Sequence, residues 1–202
     1  MALANYTDLQ TAVANWLQRT DLTAKIGDFI TIAEAEFNRT LRLTGQITRA
    51  DASVSDRWFD LTTLTVPLAE IRSVSITYGG VRTPLAFLPI EVGQTLYETR
   101  EPRWYSRSGN ELMVLPPPDA TYTLELIYWR SVPDLASNAT NWLLTLAPDL
   151  YLYRALLEGA HYIRDTDLAQ RAETSYVRAL EQLKSDDQRR QFGGSGLEVR
   201  AA

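Results

Sequence analysis

His161 is the only histidine in the chain, so any mechanism that needs an imidazole base or a nitrogen metal ligand must use it. A zinc site takes three or four ligands, and neither an HExxH nor a paired-histidine spacing is present. There is no cysteine, which removes thiolate nucleophiles and cysteine-built metal sites. A Ser-His-Asp triad would have to recruit His161, yet no serine stands in a GxSxG elbow. His161 falls in an apolar stretch and reads as a packed helix residue. Gly193-Gly194-Ser195-Gly196 lacks the lysine and the following helix of a phosphate loop. Two carboxylate pairs, Glu34 with Glu36 and Asp186 with Asp187, have the residue types of a glycosidase. The first pair does not share a helix face, and the second lies in a polar end. Trp104, Tyr105, Tyr128 and Trp129 could line a sugar-binding groove, but core packing accounts for such aromatics as well. The expectation is no catalytic residue, no metal and no cofactor.

Composition narrows the rest. The 202 residues carry 20 basic and 25 acidic side chains, a net charge of -5. A general nucleic-acid binder would show the opposite balance. Lys25 and Lys184 are the only lysines. Arginine's planar fork of donors suits interfaces and ion-pair networks, although compositional bias would give the same excess. Arg100, Arg103 and Arg107 around Trp104 fit a loop turned toward a partner or DNA, or a plain hairpin rim. Apolar runs are too short for a membrane span. The N-terminus lacks the basic region and apolar core of a signal peptide.

The elements come in three parts and a tail. Thr7 with Gln10 forms a capping-box pattern. Leu9, Ala12, Val13, Trp16 and Leu17 then recur at helical spacing. Asp21 reads as the next N-cap, followed by Leu22, Ile26, Ile30, Ala33, Phe37 and Leu41. From Gln46 the period changes. Val74, Ile76 and Tyr78 alternate with polar residues, and Gly79-Gly80 marks a hairpin. Trp104 to Arg107 and Leu112 to Leu115 flank a second turn. Tyr122, Leu124, Leu126 and Tyr128 form the clearest strand. From Pro148, Leu150 to Ile163 leave little polar surface. Asp167 and Gln170 restart a helix through Tyr176, Ala179 and Leu183. The expected fold is α+β. N- and C-terminal helical pairs (1-45 and 136-185) close a four-helix bundle, a small antiparallel β domain (46-135) is inserted, and 186-202 is an extended, flexible C-terminal tail.

Tyr6 to Leu9, Trp16 to Leu22, Phe29 to Arg42, Gly109 to Leu112 and Asn141 to Glu158 resemble segments of the phage head-to-tail adaptor proteins, also called connector, tail tubular or gatekeeper-ring proteins. Tyr6-Thr7-Asp8-Leu9 and Trp16 to Leu22 are similar to that family's first helix and turn. Phe29 to Arg42, with its Ala-Glu and Asn-Arg-x-Leu-Arg features, resembles the second helix. Gly109-Asn110-Glu111-Leu112 and Leu115-Pro116-Pro117-Pro118 resemble a short hairpin. Asn141-Trp142-Leu143-Leu144, Pro148 to Tyr153 and Ala155 to Glu158 are the most telling.

The resemblance implies a structural virion protein at the head-tail interface, assembled in the host cytoplasm. It would form a homo-oligomeric ring of twelve copies beneath the portal protein. That ring would extend the DNA channel, pass double-stranded DNA without sequence-specific binding and dock a tail tube or nozzle protein, with no membrane partner. On this reading Arg189, Arg190, Phe192, Leu197 and Val199 belong to a portal-docking tail. Glu36, Arg39, Arg42, Arg171, Glu173 and Arg178 are candidates for intersubunit ion pairs. Arg100, Arg103, Trp104 and Arg107 form the loop turned toward the tail or DNA. The alternatives are a tail-associated carbohydrate-binding or hydrolytic protein, and a head- or tail-completion protein at another layer of the vertex.

Overall fold

The computed structural model describes residues 3–192. The chain divides into two units, Met1–Gly45 with Val132–Ala202 and Gln46–Ser131.

In the first unit, α1 (Tyr6–Leu17) is capped by Asn5, whose side-chain oxygen accepts from the Asp8 amide at 2.9 Å. The Asp8 carboxylate returns to the Asn5 side-chain amide and the Ala4 N–H. The reciprocal cap therefore starts two residues before Thr7. α2 (Thr23–Thr40) begins without a side-chain cap, because Asp21 is engaged by Arg19 at 2.7 Å. After the sheet unit come α4 (Trp142–Leu146), α5 (Pro148–Ile163) and α6 (Thr166–Phe192). α1 and α5 both end on a left-handed residue other than glycine, Gln18 at φ 52° and Arg164 at φ 61°.

These helices do not make the expected four-helix bundle of two pairs. α5 is the hub, and α1, α2, α4 and α6 all pack against it. The reason lies in its sequence. Leu150, Tyr151, Leu152, Ala155, Leu156, Leu157 and Ala160 are buried on several sides of the helix, and a helix apolar on more than one side needs neighbours all round. Gly159 is part of that packing: a Cβ there would meet Leu17 of α1 at 2.7 Å. α6 also continues to Phe192, past the point where the extended tail was expected to begin.

The second unit is not the purely antiparallel domain expected. It is one curled, seven-stranded mixed sheet in the order β1-β7-β3-β4-β5-β6-β2. The strands are β1 (Ile47–Val54), β2 (Trp58–Asp60), β3 (Leu68–Tyr78), β4 (Val81–Phe87), β5 (Trp104–Ser108), β6 (Glu111–Leu115) and β7 (Tyr122–Arg130). Gly79 and Gly80, both at positive φ, close the β3–β4 hairpin, as a tight turn requires. β4 and β5 run parallel, with Ala86 opposite Trp104 and Phe87 opposite Tyr105. Parallel neighbours need a crossover, and residues 88–103 supply it, including the single turn α3 (Ile90–Gly93). That turn lies so close to β6 that a Cβ on Gly93 would come within 2.9 Å of Met113 and nearer still to Leu115. β5 and β6 are thus covered on both faces. Tyr105, Leu112 and Val114 face the core of Val74, Ile76, Leu124, Leu126 and Tyr128. Ser106, Met113 and Leu115 lie beneath α3.

Candidate docking surfaces

The groups with chemical potential are dispersed. His161 is exposed in the last turn of α5, a place where a cation would suit the helix carbonyls, and it is not a packed core residue. Glu34 and Glu36 serve separate networks. Among the described residues no group of three or more His, Cys, Asp or Glu is arranged to hold a metal ion. The four aromatics proposed for a sugar groove also separate. Tyr128 is in the core with its hydroxyl donating to the Val66 carbonyl at 2.8 Å. Tyr105 faces that core, whereas Trp104, its neighbour on β5, points to the opposite face of the sheet. Trp129 stacks with the Arg72 guanidinium at 5.7 Å.

α2 places two carboxylates in contrasting environments. The Glu34 carboxylate is buried and accepts from the Leu135 amide at 2.9 Å and the Tyr151 hydroxyl at 3.4 Å. Burial pushes its pKa up to about 7, against the pull of the Leu135 amide and with a further push from Asp134. One turn on, Asn38 clamps Val132 by donating to its carbonyl and accepting from its amide. These two side chains fix the strand-to-helix connection. Glu36 accepts from Arg154 of α5 at 2.6 Å and from the Tyr176 hydroxyl of α6 at 2.7 Å. Burial opposes its charge, but those two donors outweigh it and hold the carboxyl below the usual range.

The intersubunit candidates accordingly differ in availability. Glu36 is committed inside its own chain. Arg42 donates to the Asn38 and Leu41 carbonyls and so closes the end of α2. Arg39, Glu173 and Arg178 are exposed. Arg171 is exposed as well and donates to the Asp167 carbonyl at 3.2 Å. It lines an open groove of about 710 Å³ with Asp167, Gln170, Thr174 and Trp16. Trp16 is 53% exposed and stands edge-on to Tyr153.

At the other end of α6, Asp187 grips Thr44 through its amide (2.8 Å) and its hydroxyl (3.0 Å). Arg189 approaches Asp186 at 3.6 Å. Arg190 lines a cavity of about 290 Å³ with Leu43, Leu146 and Leu183. Phe192 is the last helical residue; Leu197 and Val199 lie outside the described residues. The polar composition around Asp187 points to a solvated end, and its tie to Thr44, 143 positions away, leaves no mark in local sequence.

In the sheet unit, Arg100 pairs with Glu98 and lines a groove with Tyr97, Trp104 and Pro116. Arg103 and Arg107 are exposed and alternate with Trp104, so strand geometry sends them to its opposite face. The arginines therefore do not surround Trp104 on one surface. Sequence reasoning missed Arg57, which donates to the Gly93 carbonyl at 2.8 Å and lies 5.6 Å from the Tyr97 ring, pinning the crossover to the sheet. It also missed a clasp on the face of the sheet away from the core. Glu125 of β7 is buried there between Arg49 of β1, at 3.0 Å, and Arg82 of β4, and accepts from Ser75 of β3.

Exposed arginines and aromatics are enriched at surfaces that meet other proteins. No curated protein matches the chain. The family model described as SU10 adaptor protein matches residues 4–200. With a match over almost its whole length, the chain belongs to the SU10 adaptor family of structural phage adaptor proteins.

Proposed function

We propose that this chain is the head-to-tail adaptor of a phage particle. Copies close into a ring beneath the portal, continue the DNA channel and offer the tail its docking surface. The family match over residues 4–200 carries this reading. The surfaces described above support it. A ring needs a heterologous interface, with one face of each copy meeting a different face of the next. Arg39 on α2 and Arg171, Glu173 and Arg178 on α6 are exposed at places where ion pairs with a neighbour can form. The C-terminal end, from Arg189, Arg190 and Phe192 on to Leu197 and Val199, reaches the portal. The net charge of -5 suits a channel that lets phosphates pass without holding them.

The test is to mix the full chain with the portal ring of the same phage and measure mass by size exclusion with light scattering. A discrete complex of about one adaptor per portal subunit is expected for a coaxial ring. No complex at micromolar concentrations overturns the reading. Deleting residues 193–202 should abolish the complex while leaving the helical circular-dichroism signal intact; a complex that survives moves the portal contact to another surface.

A further inference from the structure

β1 is the end strand of the sheet. Its eight residues pair with β7 in unbroken register from Ile47 opposite Trp129 to Val54 opposite Tyr122. A regular end strand presents a row of backbone donors and acceptors along its outer edge, and natural proteins shorten, bulge or cover such edges. The opposite end of this sheet follows that rule, since β2 has only three residues. β1 is long and continuous, and the register shifts in the sheet lie in the β3–β7 pairing.

Its side chains specify a partner. Arg49, Asp51 and Ser53 are exposed on one face, while Thr48, Ala50, Ala52 and Val54 occupy the core face. Two copies of β1 can be set antiparallel with Ala50 of one opposite Ala50 of the other. Arg49 of each, which pairs with Asp51 of its own strand at 2.8 Å and with Glu125 at 3.0 Å, then also stands opposite Asp51 of its partner and joins a four-charge cluster across the seam, with Thr48 opposite Ala52 and Ile47 opposite Ser53. Directly opposed unlike charges stabilise an antiparallel pair, whereas like charges weaken it. Moving the register by two residues would instead set Arg49 against Arg49 or Asp51 against Asp51. The small Ala50 and Ala52 leave the core face low at the seam.

We propose that the β1 edge is an isologous interface, through which two free copies of this chain join their sheets about a twofold axis centred on Ala50. Such a contact closes on itself and stops at two copies. It covers the edge in the unassembled protein and must open if that edge is needed elsewhere. It stands independently of the adaptor reading.

The absence of native cysteine makes the test clean. The full-length chain with Ala50→Cys, under mild oxidation, should form a disulfide-linked dimer. Ala52→Cys should not, because position 52 faces position 48 across the axis. An equimolar mixture of Thr48→Cys and Ala52→Cys chains should cross-link again. Light scattering on the unmodified chain should show a concentration-dependent dimer. Arg49→Asp should weaken that dimer by about tenfold, and the swap of Arg49→Asp with Asp51→Arg should restore it. Arg49 also holds Asp51 and the buried Glu125 within its own sheet, so urea unfolding of each variant is the control that the fold survives the substitution. A monomer across the micromolar range, equal cross-linking of Ala50→Cys and Ala52→Cys, or no rescue by the swap would each overturn the proposal. None of these outcomes bears on portal binding.

Discussion

Two carboxylates, one in each unit, are buried by opposite means. Glu34 in the helical unit is held by neutral groups, a backbone amide and a phenol. Glu125 in the sheet unit is held by two guanidinium groups whose own side chains are more than half exposed. Removing a carboxylate from water disfavours its charge, and only nearby cations or strong donors restore the balance. The sheet supplies cations because β1 and β4 each bring an arginine to the row that crosses β7. The helical unit supplies a backbone donor, because Glu34 is there to fix the connection after the sheet.

The largest effect that separates these two sites is one of sign. Glu34 has its folded pKa raised to about 7, so the fold favours its protonated form. That contribution is complete below the unfolded value near pH 4.5 and is lost as the pH rises through about 7. Glu34→Gln keeps an acceptor for the Leu135 amide and removes the buried charge. It should stabilise the chain at pH 8 by about 2–3 kcal/mol and flatten the wild-type decline between pH 5 and 7, as read by urea unfolding at a series of pH values. A destabilised variant at pH 8 would break the comparison.

Glu125→Gln should act in the opposite direction. It leaves Arg49 and Arg82 without their shared carboxylate, and because both side chains face solvent the cost is about 1 kcal/mol. In 1 M salt, where screening acts within about 3 Å, this difference should shrink toward zero while the gain from Glu34→Gln persists. Equal salt responses would erase the distinction between ionic and neutral burial. The smallest effect belongs to the exposed tie at the end of α6. Asp187→Ala should cost about 0.5 kcal/mol and speed hydrogen exchange at the Thr44 amide, with global stability nearly unchanged.

What the sequence revealed follows the same division between local and distant causes. The stripes of α1, α2 and α6 and the alternation of β3 and β7 arise from periods of 3.6 and 2, and those elements were legible. β1 was not. Its core-face row of Thr48, Ala50, Ala52 and Val54 is too weakly apolar to signal alternation. The seven-stranded order was hidden because the parallel β4–β5 pairing depends on where the crossover lands. α5 did announce its surroundings through an apolar surface too wide for one side of a bundle. The family resemblance was legible in segments such as Phe29 to Arg42 because they repeat local patterns. The Glu34, Asn38 and Asp187 ties span roughly a hundred positions or more, and no local pattern encodes them.

The left-handed ends of α1 and α5 bear on mechanical tolerance. A side chain with a Cβ in that region costs about 1–2 kcal/mol relative to an ordinary conformation, and glycine would relieve it. Gln18 and Arg164 instead accept the cost and lose the torsional freedom that glycine would bring. The reversal from α5 into α6 is therefore a stiff corner. Glycine at that position would relieve the backbone cost but let the corner sample more angles. Arg164→Gly should therefore leave stability nearly unchanged while speeding hydrogen exchange at the first amides of α6.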